Sequence, residues 1–405
     1  MRVLMISDVY FPRVNGVSTS IQTFARGLVA SGQEVTLIAP DCGSRSGQGQ
    51  AEPFEVLRLP SRYLPLDPEE RILRPGRIMA LLTAADTGLA RRGFDVLHIQ
   101  TPFVAHYMGV ALARELNVPC VESYHTFFEE YLYHYIPFVP KAWMRALARR
   151  FTRQQCNAVD QIIVPSTAMR AVLENYGVAQ PIKIIPTGID LEKLKGCNGN
   201  RFKQQHHIDE ERPTLVHIGR VAHEKNIGFL FNMLAVLRKH IPHILLIVAG
   251  EGPALAALKK QAKTLALNDN ILFVGYLDRS STLLDCYCAG NAFIFASRTE
   301  TQGLVLLEAM ALGVPVVSTA VMGTIDILAP GKGALVAPED PVVFAEHVQR
   351  LLENQLLHGR LHKEALQYVQ EWTAPVMADR LQSLYEELTN NSTKVPVDVV
   401  KSLPL

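Results

Sequence analysis

Two glutamates eight residues apart, Glu300 and Glu308, flank a glycine in the run FIFASRTETQGLVLLEAMALGVPVVST, Phe293 to Thr319. Phe293 to Ala296 is a continuous apolar run with the length of a buried strand. Leu304 to Leu312 reads as a helix stopped by Gly313, and Val314 to Val317 as the next strand, with Pro315 near its start. Gly303 lets a ligand come close to the backbone. The N–H groups of Leu304 and Val305 then point out of a positive helix end, which suits a diphosphate. With one carboxylate before the helix and one inside it, the pattern suits a nucleotide-sugar: diphosphate on the amides, one glutamate on the sugar, the other on the ribose. Taken alone, Glu300 is a loop charge and Glu308 a solvated helix charge. Glu308 sits in an otherwise apolar helix, however, and a lone carboxylate there needs a partner.

Other residues of the same chemical character follow other strand-like runs. In GRVAHEKNIGFL, Arg220 and Lys225 flank a turn before a helix expected near Asn226. Two cations at a helix start repel the dipole unless an anion lies between them, although Glu224 could instead pair with one. AGEGP holds Gly250 and Glu251 at a sharp strand exit, and GYL places Gly275 after another strand. DVYFPRVNGVSTS, Asp8 to Ser20, makes a tight turn at Asn15–Gly16, with Ser18 or Thr19 expected to cap the next helix. Gly16 opens the backbone at that helix start. The turn is not a GxGxxG dinucleotide fingerprint, which argues against a dehydrogenase. His125, in SYHTFFEEYLYHY, stands at a strand end where it could bond a sugar or help move a proton, or simply be a structural histidine.

The Glu300-x7-Glu308 spacing and its surroundings resemble the signature of the family 4 retaining glycosyltransferases. The G-R-x-x-x-E-K-N run resembles that family's diphosphate grip, AGEGP its loop beside the nucleotide, and the Gly16 turn its N-terminal glycine loop. His125 matches the family's active-site histidine by position. The resemblance covers nearly the whole chain. It implies an α/β fold of the GT-B type, two Rossmann-like domains with parallel sheets facing an inter-domain cleft, and transfer with retention of anomeric configuration. His125, Arg220, Lys225 and Glu300 would then be catalytic. Gly16, Arg220, Lys225, Gly250, Glu251, Gly275, Gly303, Leu304, Val305 and Glu308 would bind a UDP-sugar or GDP-sugar. No pair of carboxylates provides an acid and a nucleophile as in a retaining glycosidase. Catalysis is therefore expected to rest on positioning and on stabilising the departing diphosphate. No Asp-x-Asp motif occurs, so no cofactor and no required divalent metal are expected.

The segment PFVPKAWMRALARRFTRQQ, Pro137 to Gln155, contains no acidic residue. Lys141, Arg145, Arg149 and Arg153 recur every four residues, with Arg150 beside them, while Trp143, Met144, Leu147 and Phe151 form an apolar side. A basic amphipathic helix of this kind reads as an anionic membrane contact or as a packed surface helix with a core tryptophan. The run HT-x-x-E-E-Y-x-x-H-Y followed by this helix resembles bacterial 1,2-diacylglycerol 3-glucosyltransferases, and PRVNGVSTS is similar to phosphatidylinositol mannosyltransferases. That resemblance implies a hexose, glucose or mannose, and a lipid acceptor. Polysaccharide or soluble-sugar synthesis, a GT-B epimerase or hydrolase, and a non-catalytic nucleotide-sugar sensor are the alternatives.

These residues must be held by an alternation of short apolar strands and helices, which predicts parallel sheets covered on both faces. Strands are expected at Val3–Ser7, Glu34–Pro40, Asp95–Gln100, Pro119–Thr126, Gln161–Ser166 and Ile182–Gly188. A second set is expected at Thr214–Arg220, His243–Gly250, Ile271–Leu277, Ala292–Ser297, Pro315–Thr319 and Ala334–Pro338. At 405 residues the chain fits two domains. They are expected at 1–194, an acceptor domain, and 214–372, a nucleotide-sugar domain, joined by the polar stretch Lys195 to Pro213. By resemblance, the last helix, from Pro375 to about 390, is expected to return to the first domain. A formal net charge of +1 gives no reason to expect nucleic acid. Six scattered cysteines support neither a zinc site nor a disulfide framework, so reduced thiols in the cytoplasm are expected. The N-terminus lacks a signal-peptide pattern, and no run is long enough to span a bilayer. A peripheral position at the inner face of the cell membrane is compatible with both.

Overall fold

The computed structural model describes residues 1–13, 15–41, 51–64, 67–73, 88–125, 141–278 and 281–392. The chain divides into two compact units, Met1–Gly188 with Ala374–Leu405, and Ile189–Thr373.

Among the described residues, the first unit carries a seven-stranded parallel sheet in the order β3-β2-β1-β6-β7-β8-β9. Its strands are β1 Arg2–Ile6, β2 Glu34–Pro40, β3 Glu55–Leu59, β6 Val96–Ile99, β7 Cys120–Ser123, β8 Gln161–Val164 and β9 Ile182–Ile184. An antiparallel hairpin, β4 Ser61–Leu64 and β5 Asp67–Leu73, lies outside it. Neither the edge strand β3 nor the hairpin was expected. Beyond the exposed Arg2 and Glu34 that open β1 and β2, the central strands are buried and mainly apolar, as parallel strands covered on both faces require. The helix Ala374–Ser392 packs on the helix Gly16–Ala30 through a stripe of Met377, Ala378, Leu381, Leu384 and Tyr385. The Tyr385 hydroxyl lies 2.6 Å from His98 Nδ1, and His98 Nε2 lies 2.8 Å from Ser123 Oγ. Burial lowers the His98 pKa to about 3, so this link between helix and sheet uses a neutral imidazole.

Among the described residues, the second unit carries a six-stranded parallel sheet in the order β12-β11-β10-β13-β14-β15. These strands are β10 Thr214–Ile218, β11 Leu245–Ala249, β12 Ile271–Gly275, β13 Ala292–Phe295, β14 Val316–Ser318 and β15 Ala334–Val336. Successive side chains point to opposite faces. Leu215, Leu246, Val248 and Ile294 therefore join one core, while Val216, Ile218, Ile247, Phe293 and Phe295 join another.

The polar stretch expected to link the domains is folded into the second unit. Within it, the helix Gly199–Gln205 buries Phe202, and Arg201 forms a two-pronged pair with the buried Asp285, with Nη2 2.8 Å from Oδ1. Lys203 Nζ donates to the carbonyls of Glu210 and Arg212 at 2.6 and 3.2 Å. The stretch looked like a linker because it buries only two large apolar side chains, Phe202 and Ile208, while Asp285, which anchors it, lies about 85 residues away in sequence. Cys197 and Cys288 form a disulfide between this segment and the helix Ser281–Cys288, contrary to the expectation of reduced thiols throughout. Their separation of 91 residues carries no spacing signal. Cys120, Cys156 and Cys286 are free and buried.

Candidate functional site

The strand order of the second unit reverses between β10 and β13, and ligands of open α/β sheets bind beyond the strand ends at such a point. After β10 the chain passes Gly219 and Arg220 into a short 3-10 turn, His223–Lys225, and then the helix Ile227–Leu237. After β13 it passes Glu300 into the helix Leu304–Ala311. Because β10 and β13 are paired neighbours, the two loops meet. Lys225 Nζ donates to Glu300 Oε2 at 2.6 Å, with both side chains about one-fifth exposed. The partner of this lysine is thus a residue 75 positions away, not the adjacent Glu224. Arg220 is exposed and has no ion pair among the described residues.

Gly303 has φ 102°, a left-handed conformation that puts a tight turn just before Leu304. The helix it opens has no side-chain cap and no acidic residue in its first turn, so the amides of Leu304 and Val305 remain a positive end. One turn on, Glu308 is half-buried and its Oε2 accepts from the Tyr287 hydroxyl at 2.7 Å. The partner that an apolar helix demands for its carboxylate is therefore an aromatic hydroxyl from the helix Ser281–Cys288. Sequence reasoning did not find Tyr287, because a tyrosine among leucines and cysteines on a short helix reads as core.

The loop after β14 was also missed. The Gly323 N–H donates to the Glu300 carbonyl at 2.8 Å, so the backbone that carries Glu300 is tied to the start of the helix Thr324–Leu328. On the other side, the loops after β10, β11 and β12 are joined backbone to backbone. Gly250 N–H donates to the Gly275 carbonyl at 2.7 Å, and Val221 N–H to the Glu251 carbonyl at 2.9 Å. Glu251 itself is exposed, with a carboxylate oxygen close to Gly275. Beneath the site, His217 is buried against Phe293 and Phe295, and its Nδ1–H donates to the Ile294 carbonyl at 3.1 Å. Burial lowers its pKa to about 4, so it brings no charge under Lys225.

In the first unit, Asn15 is the cap of the helix Gly16–Ala30, its side chain accepting from Ser18 N–H at 2.8 Å. Ser18 and Thr19 were expected in that role. They lie inside the helix, and Asn15 alone has the extended backbone a cap needs. Gly16 is exposed, with open space where a side chain would be. His125 is half-buried at the end of the β7 segment, its Nε2–H donating to Gln100 Oε1 at 3.2 Å. Burial lowers its pKa to about 4, so at neutral pH it offers a hydrogen bond and not a charge. The motif residues from Thr126 to Pro140 lie outside the described residues.

The basic segment forms the helix Lys141–Cys156. Ala148, Thr152, Gln155 and Cys156 are its packed side. Trp143 and Leu147, one turn apart, are 77% and 68% exposed, so the tryptophan is not core. Arg145, Arg149, Arg150 and Arg153 are exposed around them, and Arg149 stacks over the Tyr176 ring at 5.4 Å. The side chains of Lys141 and Met144 are outside the described residues. Among the described residues no helix is long and apolar enough to cross a membrane, and no group of three metal-ligating side chains occurs.

Comparison with known proteins agrees with this geometry. Residues 199–368 match the family described as "Glycosyl transferases group 1", and residues 14–193 match "Glycosyltransferase Family 4". An alpha-monoglucosyldiacylglycerol synthase of Streptococcus pneumoniae is 34% identical over 326 residues, covering 78% of this chain and 71% of that one. A GDP-mannose-dependent alpha-mannosyltransferase of Mycobacterium tuberculosis is 28% identical over 412 residues, covering 97% and 98%. In fold, the chain resembles sucrose-phosphate synthase from Thermosynechococcus elongatus, with TM-score 0.75, 22% identity, and 96% and 99% of the two chains covered.

Proposed function

This chain belongs to glycosyltransferase family 4, with the two parallel-sheet α/β domains of the GT-B fold, and on that premise we propose that it moves glucose or mannose from a UDP-sugar or GDP-sugar to a membrane lipid such as diacylglycerol. The anomeric configuration is retained. The observation that carries the donor half is the Lys225–Glu300 pair, held at the sheet's switch point beside the uncapped helix start at Leu304. The lipid half is supported by the diacylglycerol synthase among the relatives and by the exposed Trp143 and Leu147 ringed by arginines.

In this reading Arg220, Lys225 and the amides of Leu304 and Val305 take the charge of the departing diphosphate. Glu300 bonds hydroxyls of the transferring sugar, and Glu308 bonds those of the ribose. The glycine-linked loops at Gly250, Glu251 and Gly275 line the nucleoside. For the first unit, we propose that a Gly16 amide reaches phosphate and that neutral His125 bonds the sugar. The leaving phosphate oxygen accepts the acceptor's proton. Fixed cations do the work that a divalent metal does elsewhere, so none is needed. Lys141, Trp143, Arg145, Arg149, Arg150 and Arg153 hold the protein at the anionic inner face of the cell membrane as a peripheral protein.

The direct test is incubation with dioleoylglycerol in phosphatidylglycerol vesicles and either UDP-glucose or GDP-mannose, in excess EDTA. A new α-linked glycolipid, resolved by thin-layer chromatography and NMR, is expected. Donor breakdown without glycolipid, or transfer to soluble sugars alone, would remove the lipid-acceptor reading. Activity lost in EDTA and restored by magnesium or manganese would remove the metal-free mechanism.

The membrane contact has its own test. Replacing Arg145, Arg149 and Arg153 with glutamine removes three surface cations, each worth ~1 kcal/mol near an anionic membrane. Sedimentation with phosphatidylglycerol vesicles is expected to fall at least tenfold, with nucleotide binding unchanged. Equal sedimentation of variant and wild type would exclude this helix as the contact.

A further inference from the structure

We propose that Tyr287 is a positioning residue for the donor nucleotide: its hydroxyl sets the orientation in which Glu308 receives the ribose. The inference rests on the reading of Glu308 as the ribose-binding carboxylate.

Glu308 is a long side chain on a helix whose neighbouring residues Leu306, Leu307, Ala309 and Met310 are buried. Left to itself, such a carboxylate samples several rotamers, and each must be given up when a ribose binds. The Tyr287 hydroxyl, 2.7 Å from Oε2, selects one of them beforehand. A phenol donating to a carboxylate is a charge-assisted hydrogen bond, of the stronger kind. It also fixes how the carboxylate presents its two oxygens. One of them, Oε2, accepts from the phenol.

The phenol can do this because it is itself immobile. Tyr287 is completely buried, with its ring packed on Phe293 at 5.5 Å between centroids. Its helix, Ser281–Cys288, is held at several points. Asp285 accepts from the Asn198 N–H at 2.6 Å and from the Arg201 guanidinium, Cys286 is fully buried, and Cys288 is bonded to Cys197. Phe293, beneath the ring, lies in β13, the strand that leads to Glu300. The phenol is therefore referenced to the same strand as the catalytic loop. A core packing role alone needs only the ring. The hydroxyl is what reaches the carboxylate.

Tyr287→Phe keeps the ring and removes the hydroxyl, so the variant is expected to fold, with a melting temperature within a few degrees of wild type. The probes are UDP and 2′,3′-dideoxy-UDP, or GDP and 2′,3′-dideoxy-GDP, whichever base binds, measured by isothermal titration calorimetry. Wild type is expected to prefer the ribonucleotide at least tenfold. In Tyr287→Phe most of that preference is expected to disappear, through about tenfold weaker binding of the ribonucleotide. Affinity for the dideoxy form should change less than twofold. In a Glu308→Gln background, Tyr287→Phe is expected to cause no further loss of discrimination, because the two act as one unit. A purely structural role would weaken both nucleotides alike. Full discrimination in Tyr287→Phe, or additive losses in the double variant, would overturn the inference while leaving Glu308 as the ribose ligand. No discrimination in wild type would overturn the Glu308 reading itself, and this inference with it.

Discussion

Lys225→Ala is expected to lower kcat/KM by about 10²–10³-fold while leaving the fold intact. The magnitude is that of one charged or hydrogen-bonding group withdrawn from a developing anion, about 2.7–4 kcal/mol. The preserved fold follows from the same geometry. Lys225 and Glu300 are each about one-fifth exposed, and partly exposed pairs of this kind are worth only ~0–1 kcal/mol to stability. In the free protein Glu300 neutralises Lys225. In the proposed mechanism, an arriving donor takes a share of the ammonium for its diphosphate and leaves the carboxylate to the sugar. This predicts a specific pattern among variants. Lys225→Arg is not a conservative rescue, because a planar fork replaces a point charge beside Glu300. Glu300→Gln should depress kcat while leaving UDP or GDP affinity within a few-fold of wild type. Lys225→Ala should weaken both, and the double variant should be less damaged than the product of the two, since each single change leaves a lone charge behind. Near-normal kcat/KM in Lys225→Ala, measured at subsaturating donor, would remove the phosphate-grip assignment.

The parts of this arrangement that the sequence disclosed are those whose physics is local. Parallel strands buried on both faces are continuous apolar runs, so all the expected strands are present, generally with their ends trimmed: His243–Gly250 becomes Leu245–Ala249, and Pro315–Thr319 becomes Val316–Ser318. The helix expected from Leu304 to Leu312 is present as Leu304–Ala311, and the one expected near Asn226 begins at Ile227. The edge strand Glu55–Leu59 escaped notice because it is mostly half-exposed and carries Glu55 and Arg58. The hairpin strand Asp67–Leu73 begins Asp-Pro-Glu-Glu, a poor β sequence. Helix Gly199–Gln205 is only seven residues long, too short to show a period.

In the site, the same division holds. Glu300, Glu308, Arg220 and Lys225 were visible because their charges follow strands or interrupt an apolar helix. That Lys225 would pair with Glu300 depends on β10 and β13 being neighbours, a fact of strand order that appears nowhere in the local text. Tyr287 and Gly323 have no chemical oddity of their own. Each matters only for what it touches across the fold.

Gly323 provides the sharpest test of how the Glu300 loop is held. Its backbone, φ −65° and ψ −17°, is ordinary right-handed helix, so alanine is conformationally acceptable there. Space is what forbids it. A Cβ at this position would lie 1.9 Å from the Thr301 carbonyl oxygen and 2.7 Å from the Gln302 nitrogen. These are backbone atoms of the two residues after Glu300, and they cannot move aside without carrying Glu300 and the Gly303 turn with them. Gly323→Ala is therefore expected to cost about 1–3 kcal/mol of stability through overpacking. It is also expected to lower kcat/KM about 10²-fold, the scale set by a displacement of about 1 Å at a reacting centre. Gly359 supplies the control. It lies in the helix Gln355–Tyr368 with nothing within 4 Å of its would-be Cβ, so Gly359→Ala should be neutral or stabilising by ~0.5–1 kcal/mol, with unchanged kinetics. Denaturant melts and initial rates on the two variants separate the cases. If Gly323→Ala turned over like Gly359→Ala, the tie between the β14 loop and Glu300 would have no catalytic meaning. If it lost activity while still melting cooperatively, the donor site would be shown to depend on backbone placement at Thr301 by Gly323, whose loop follows a strand two places from the one that leads to Lys225.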